Sequence, residues 1–96
     1  MGRRRADGKL MFRRFRLLRR YPELKSLAQE AQRAGATHAS YTGPSIAFYR
    51  MREGRVECCF AEYAPSTKRY EWIWPPTDWR ERDYLPGDAV PISKFT

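Results

Sequence analysis

Histidine occurs once, cysteine twice and lysine only four times in these 96 residues. His38 with the adjacent Cys58 and Cys59 has no metal-ligand spacing, and two cysteines exclude a small domain built on disulfides. Neighbouring cysteines on a strand point to opposite faces and close a disulfide only with a strained backbone, so both are expected to be buried and reduced, which fits a cytoplasmic setting. No apolar run approaches the roughly 18 residues of a membrane span. There is no glycine-rich phosphate loop, no internal repeat, and no Ser/His/Asp set that spacing supports. Glu57, Glu62, Asp78 and Asp83 carry no spacing that requires a metal. The length leaves room for one domain, or one small domain with a tail. The expectation is therefore a non-enzymatic chain without cofactor, metal or catalytic residues.

What is present is charge, and it is unevenly placed. The chain holds 19 Lys+Arg against 11 Asp+Glu, a net of +8. Residues 1–20 contain nine of the bases (Arg3, Arg4, Arg5, Lys9, Arg13, Arg14, Arg16, Arg19 and Arg20) and a single acid, Asp7, which already accounts for +8. Residues 21–96 contain ten of each sign and are neutral. A basic N-terminal arm on a neutral body is a nucleic-acid signature. Arginine outnumbers lysine 15 to 4, and its planar fork grips phosphate bidentately; a GC-rich genome produces the same bias. Aromatics at 15% exceed what so small a core strictly requires.

The division expected from this is an N-terminal arm and amphipathic helix over residues 1–20, then one small α+β domain over 21–96 with an extended C-terminal tail. Met1 to Ala6 reads as an arm. From Asp7 or Gly8 to Arg20, Leu10, Met11, Phe15, Leu17, Leu18 and Tyr21 share a broad helical face, with Arg13, Arg16, Arg19 and Arg20 opposite. Asp7 suits the start of that helix. Tyr21-Pro22 interrupts, because the residue before proline avoids the α region while proline opens a new helix. A second helix runs from Pro22 to Ala34 with Leu24, Leu27, Ala28, Ala31 and Ala34 on one face, and Gly35 stops it; one kinked helix over 8–34 is the alternative.

From Thr37 the pattern turns to strands. His38 to Tyr41 is a short one, ended by Gly43-Pro44. Ser45–Arg52 and Arg55–Tyr63 form a hairpin about Glu53-Gly54, pairing Met51 with Val56, Arg50 with Glu57 and Tyr49 with Cys58. A turn at Pro65–Lys68 leads into Arg69–Trp74, pairing Tyr63 with Tyr70, Ala61 with Trp72 and Cys59 with Trp74. The like charges of Glu62 and Glu71 count against that register. One sheet face then carries Ala47, Tyr49, Met51, Val56, Cys58, Phe60 and Ile73, and the other Ile46, Phe48, Cys59, Tyr63, Tyr70, Trp72 and Trp74. Thr77 caps a short helix over Asp78–Tyr84, and Ala89–Thr96 is extended, with Val90, Ile92 and Phe95 free to dock. The fold class is α+β: an N-terminal helix or helix pair on a three- to four-stranded antiparallel meander, with a short C-terminal helix.

The functional expectation is a small nucleic-acid-binding accessory protein that holds phosphates through Arg3, Arg4, Arg5, Lys9, Arg13, Arg16, Arg19 and Arg20. DNA and RNA are not distinguished. Arg69, Tyr70, Trp72 and Trp74 are a second candidate, as a base-stacking platform or a partner-binding face; plain core is the competing reading of those rings. The alternative function is a protein-interaction module, such as a small phage-type inhibitor or adaptor on a larger nucleoprotein complex, using that aromatic face with the arginines steering it to an acidic surface. A membrane surface ranks below both. A helix-turn-helix is set aside, because Gly43-Pro44 truncates the helix that would read a groove.

Overall fold

The computed structural model describes residues 16–96. The expected phosphate contacts Arg3, Arg4, Arg5, Lys9 and Arg13, and the Asp7 cap, lie outside the described residues.

Residues 16–20 are helical, Tyr21-Pro22 breaks the run, and α1 follows at Glu23–Arg33. The break still propagates a turn: the Tyr21 amide donates to Leu17 O, and Leu24 and Lys25 donate to Tyr21 O and Pro22 O. Pro22 at the cap has the helical φ of −63° that its ring imposes. At the far end Gly35 takes φ +106°. Its amide reaches Gln32 O, and the Ala36 amide reaches Ala31 O. These two bonds form a Schellman motif, in which a residue without a Cβ turns the chain and satisfies the last carbonyls. Leu24, Ala28 and Ala31 are fully buried; the two alanines let the helix lie close on the sheet.

Among the described residues the sheet has six strands: β1 (His38–Tyr41), β2 (Ser45–Arg52), β3 (Arg55–Ala64), β4 (Arg69–Trp74), β5 (Arg80–Arg82) and β6 (Val90–Pro91). Their order is β4-β3-β2-β1-β6, with β5 also pairing β3, and every pairing is antiparallel. The β2–β3 register is the expected one, with Met51 opposite Val56, Arg50 opposite Glu57 and Tyr49 opposite Cys58. Glu53 and Gly54 have φ of 53° and 76°, the pair of positive values that a two-residue type I′ turn demands. Glu62 does face Glu71. Both are exposed, and Thr67 Oγ1 donates to Glu71 Oε1 at 2.8 Å, so water and a hydroxyl moderate the repulsion.

Three expectations are corrected. Trp74 does not meet Cys59: the ladder shifts between Phe60 and Ala61, so Ala61 faces Trp72 and Phe60 faces Trp74, with Ile73 the extra residue. A one-residue bulge moves every following side chain to the other face. Asp78–Tyr84 is not a capped helix. So short a segment has little helical stability alone, whereas β3 runs past the end of β4 and offers unpaired backbone groups. Arg80–Arg82 takes them, pairing with Val56–Cys58. Nor is the tail simply extended. Val90–Pro91 adds a strand beside β1, Ile92–Lys94 forms a 3₁₀ turn, and Ile92 and Phe95 are buried. The three- to four-stranded meander with a C-terminal helix thus gives way to a six-stranded sheet closed at one side by the C-terminus.

The core divides between the faces. Under α1 lie Ala39, Ile46, Phe48, Cys59, Ala61 and Tyr70, joined by Ile92 and Phe95. On the other side Tyr49, Val56 and Cys58 form a smaller cluster with Ala47, Trp74 and Leu85. Arg50 ties the helix-side layer together: Nε donates to Glu57 Oε1 at 2.8 Å, Nη1 to Ala34 O at 3.0 Å, and the guanidinium lies 4.2 Å from the Trp79 ring centroid. The cation at the helix C-terminus also suits the helix dipole.

Candidate polyanion-binding cleft

Helical periodicity divides the segment 16–21 between two jobs. Leu17, Leu18 and Tyr21 are half-buried and pack against the helix-side core. Arg16, Arg19 and Arg20 are exposed. Together Arg16, Leu17, Arg19, Arg20, Tyr21 and Tyr41 line an open cleft of about 780 Å³. Three guanidinium groups on one wall attract anions, and two tyrosines supply flat apolar surface.

The tyrosines are set in an aromatic cluster. The Tyr21 ring meets Tyr63 and Tyr70 edge-on, with centroids 5.5 and 5.1 Å apart, a favourable arrangement for ring quadrupoles. The Arg20 guanidinium lies 5.5 Å from the Tyr21 ring centroid. Tyr70 O–H donates to Gly43 O, and its oxygen is 3.4 Å from the Tyr41 hydroxyl oxygen. Burial pushes the Tyr70 phenol up, with smaller contributions from Tyr41, Tyr21 and Glu23. The Tyr70 amide donates to Glu23 Oε2 at 2.9 Å, so the first turn of α1 covers part of the outer edge of β4. Tyr41 itself is 39% exposed.

Of the expected phosphate contacts, the structure therefore brings Arg16, Arg19 and Arg20 to one cleft. It does not assemble the second candidate. Arg69 is exposed, but Tyr70 is buried beneath Tyr21. Trp72 is half-buried, edge-on to Phe48, and its indole N–H donates to Glu30 Oε2 at 3.1 Å. Trp74 sits on the opposite face against Phe60, with the Arg80 guanidinium 4.8 Å from its ring centroid. The bulge at Ile73 is what divides the two tryptophans. Tyr21, which reads in the sequence only as part of an apolar helix face, is not among the expected site residues, and neither is Tyr41. The end of a predicted strand was its only signal, and exposure there depends on what packs beside it.

The remaining chemistry-bearing groups are engaged or separated. Cys58 and Cys59 are free and buried, one in each core cluster. Burial raises both thiols, Cys59 to about 12. Glu57 is held by Arg50, and Asp78 by Arg80 at 2.8 Å. His38 Nδ1 is 2.8 Å from Thr37 Oγ1. Among the described residues no three His, Cys, Asp or Glu side chains gather where a metal would bind, and no helix is long and apolar enough to cross a membrane. No family model matches this chain, and neither the curated proteins nor the solved structures include a match to it.

Proposed function

We propose that this chain is a small nucleic-acid-binding accessory protein whose Arg-rich N-terminal segment grips phosphates. The observation that carries the reading is the cleft: Arg16, Arg19 and Arg20 converge there beside Tyr21 and Tyr41, in the part of the chain that holds its whole net charge. Arginine forks are suited to phosphate oxygens, and the neutral body orients them. Contact is with the backbone, so recognition is tolerant of sequence.

Fluorescence anisotropy against labelled oligonucleotides across a salt series tests this. Replacing Arg16, Arg19 and Arg20 together with Ala should weaken binding and flatten the slope of log affinity against log salt by about 2 to 3, at about 0.7–0.9 per phosphate contact. Thermal stability should fall only slightly, because the three side chains are exposed and a surface contact such as that of Arg20 with the Tyr21 ring is worth about 0.5–1 kcal/mol. Binding by the triple variant equal to wild type would remove the cleft from the reading.

A second reading, the protein-interaction module, draws on large apolar side chains left in water outside the cleft: Met51, Ile73 and Tyr84 are 57%, 49% and 72% exposed. Its signature is one protein retained after nuclease treatment; loss of every partner under nuclease supports the first reading.

A further inference from the structure

We infer that the cleft takes single-stranded nucleic acid, with a base stacked on Tyr41 and the flanking phosphates on Arg16, Arg19 and Arg20. This rests on the nucleic-acid reading above and specifies its substrate. A duplex keeps its bases stacked inside, so a ring on the protein surface has no base face to meet. A single strand offers both a flexible phosphate chain and free base faces, and proteins that bind such strands combine cationic grooves with aromatic side chains. The open cleft, lined by Arg16, Arg19, Arg20, Tyr21 and Tyr41, has that combination.

Tyr41 is positioned for the role. Its neighbour on β2 is settled: it pairs with Ile46, which is fully buried. Its hydroxyl sits 3.4 Å from that of Tyr70, which is itself anchored on Gly43 O. That contact is a long one, and it is the ring, 39% exposed, that offers a face to a base. In the same cleft the Arg20 guanidinium lies over the Tyr21 ring, 5.5 Å from its centroid.

The test uses the full chain with a fluorescein-labelled 15-nucleotide oligo-dT and a mixed-sequence duplex of the same length. Tyr41→Leu should weaken oligo-dT binding about 5- to 150-fold, the effect of one lost stack. The salt slope should not change, because no phosphate contact is removed. Duplex affinity should not change either, and Tyr41→Phe, which keeps the ring, should bind oligo-dT close to wild type. Circular dichroism melts of both variants confirm that the fold is retained. Equal oligo-dT binding by Tyr41→Leu and wild type overturns the inference, as does an equal loss for strand and duplex; an Arg-dependent affinity that survives either result leaves the broader reading standing. Polyglutamate displacing the strand as well as unlabelled oligo-dT does would put an acidic protein in the cleft and overturn the inference. If wild type binds neither strand nor duplex, both readings fall together.

Discussion

The two faces of the sheet are closed by different means. On one, α1 lays Leu24, Ala28 and Ala31 on Ile46, Phe48, Cys59 and Ala61, all fully buried. On the other, no described helix lies over the strands. The segment after β5 sends Leu85 to the small Tyr49–Val56–Cys58 cluster, Ser40 Oγ donates to the Asp88 carboxylate at 3.3 Å from each oxygen, and Arg80 stacks on Trp74. The first face is held by apolar burial, which scales with area. The second is held by a thin apolar patch and a few polar tethers, each of modest net worth. Stability should therefore be concentrated on the helix side, leaving the other side freer to change.

The sharpest way to break this contrast is to hollow out the helix side. Phe48→Ala should cost about 3–5 kcal/mol, since the ring is fully buried and edge-on to Trp72. Met51→Ala, on the other face and 57% exposed, should fall within about 0.5 kcal/mol of wild type. Urea unfolding measures both, and comparable losses would deny the asymmetry.

A second effect comes from the groups that the helix side keeps protonated. Burial raises the Cys59 thiol from an ordinary 9.0 to about 12, and the Tyr70 phenol moves in the same direction. Each holds its proton in the folded chain at pH values where the unfolded chain has released it. Stability is thus complete below about pH 9 and declines as pH rises from 9 towards 12, by about 1.4 kcal/mol per pH unit for one such group. Thermal melts between pH 7 and 11 should show the decline, and Cys59→Ala should make it shallower. An unchanged slope in that variant would mean that Cys59 is not the group responsible.

The smallest effect is expected at the tether. Asp88→Ala should cost about 1 kcal/mol or less, and hydrogen exchange should quicken in residues 84–89 while the amides of α1 keep their rates. Faster exchange in α1 would show that the two faces open as one unit.

Much of this architecture was legible before any coordinates. Pro22 and Gly35 bracket α1 because one lacks an amide proton and the other a Cβ. Glu53-Gly54 sets the central hairpin, and alternation then assigns nearly every side chain to its face. The cationic nature of residues 16–20 was equally plain. What escaped were features with no local cause. Nothing in Arg69–Trp74 announces the bulge at Ile73, and simple alternation puts Trp74 on the face of Trp72. Arg80–Arg82 becomes a strand because β3 outruns β4, and Thr77-Asp78 mimics a cap that is never used. In the cleft, the cationic residues are legible in the sequence, and the placing of Tyr21 and Tyr41 beside them is not.

Sequence alone determined what is encoded over a few residues: the limits of α1, the turn and register of the β2–β3 hairpin, and the separation of a charged leading segment from a neutral body. These follow from backbone sterics, side-chain period and the count of ionised groups, each a property of neighbours in the chain. Tertiary structure alone decided which rings are covered and which face the solvent, the pairing of β5 and β6, and the seat of Arg50 among Ala34, Glu57 and Trp79. Those outcomes depend on which unpaired edges and apolar surfaces remain once the main strands have met, and that competition is settled between residues distant along the chain.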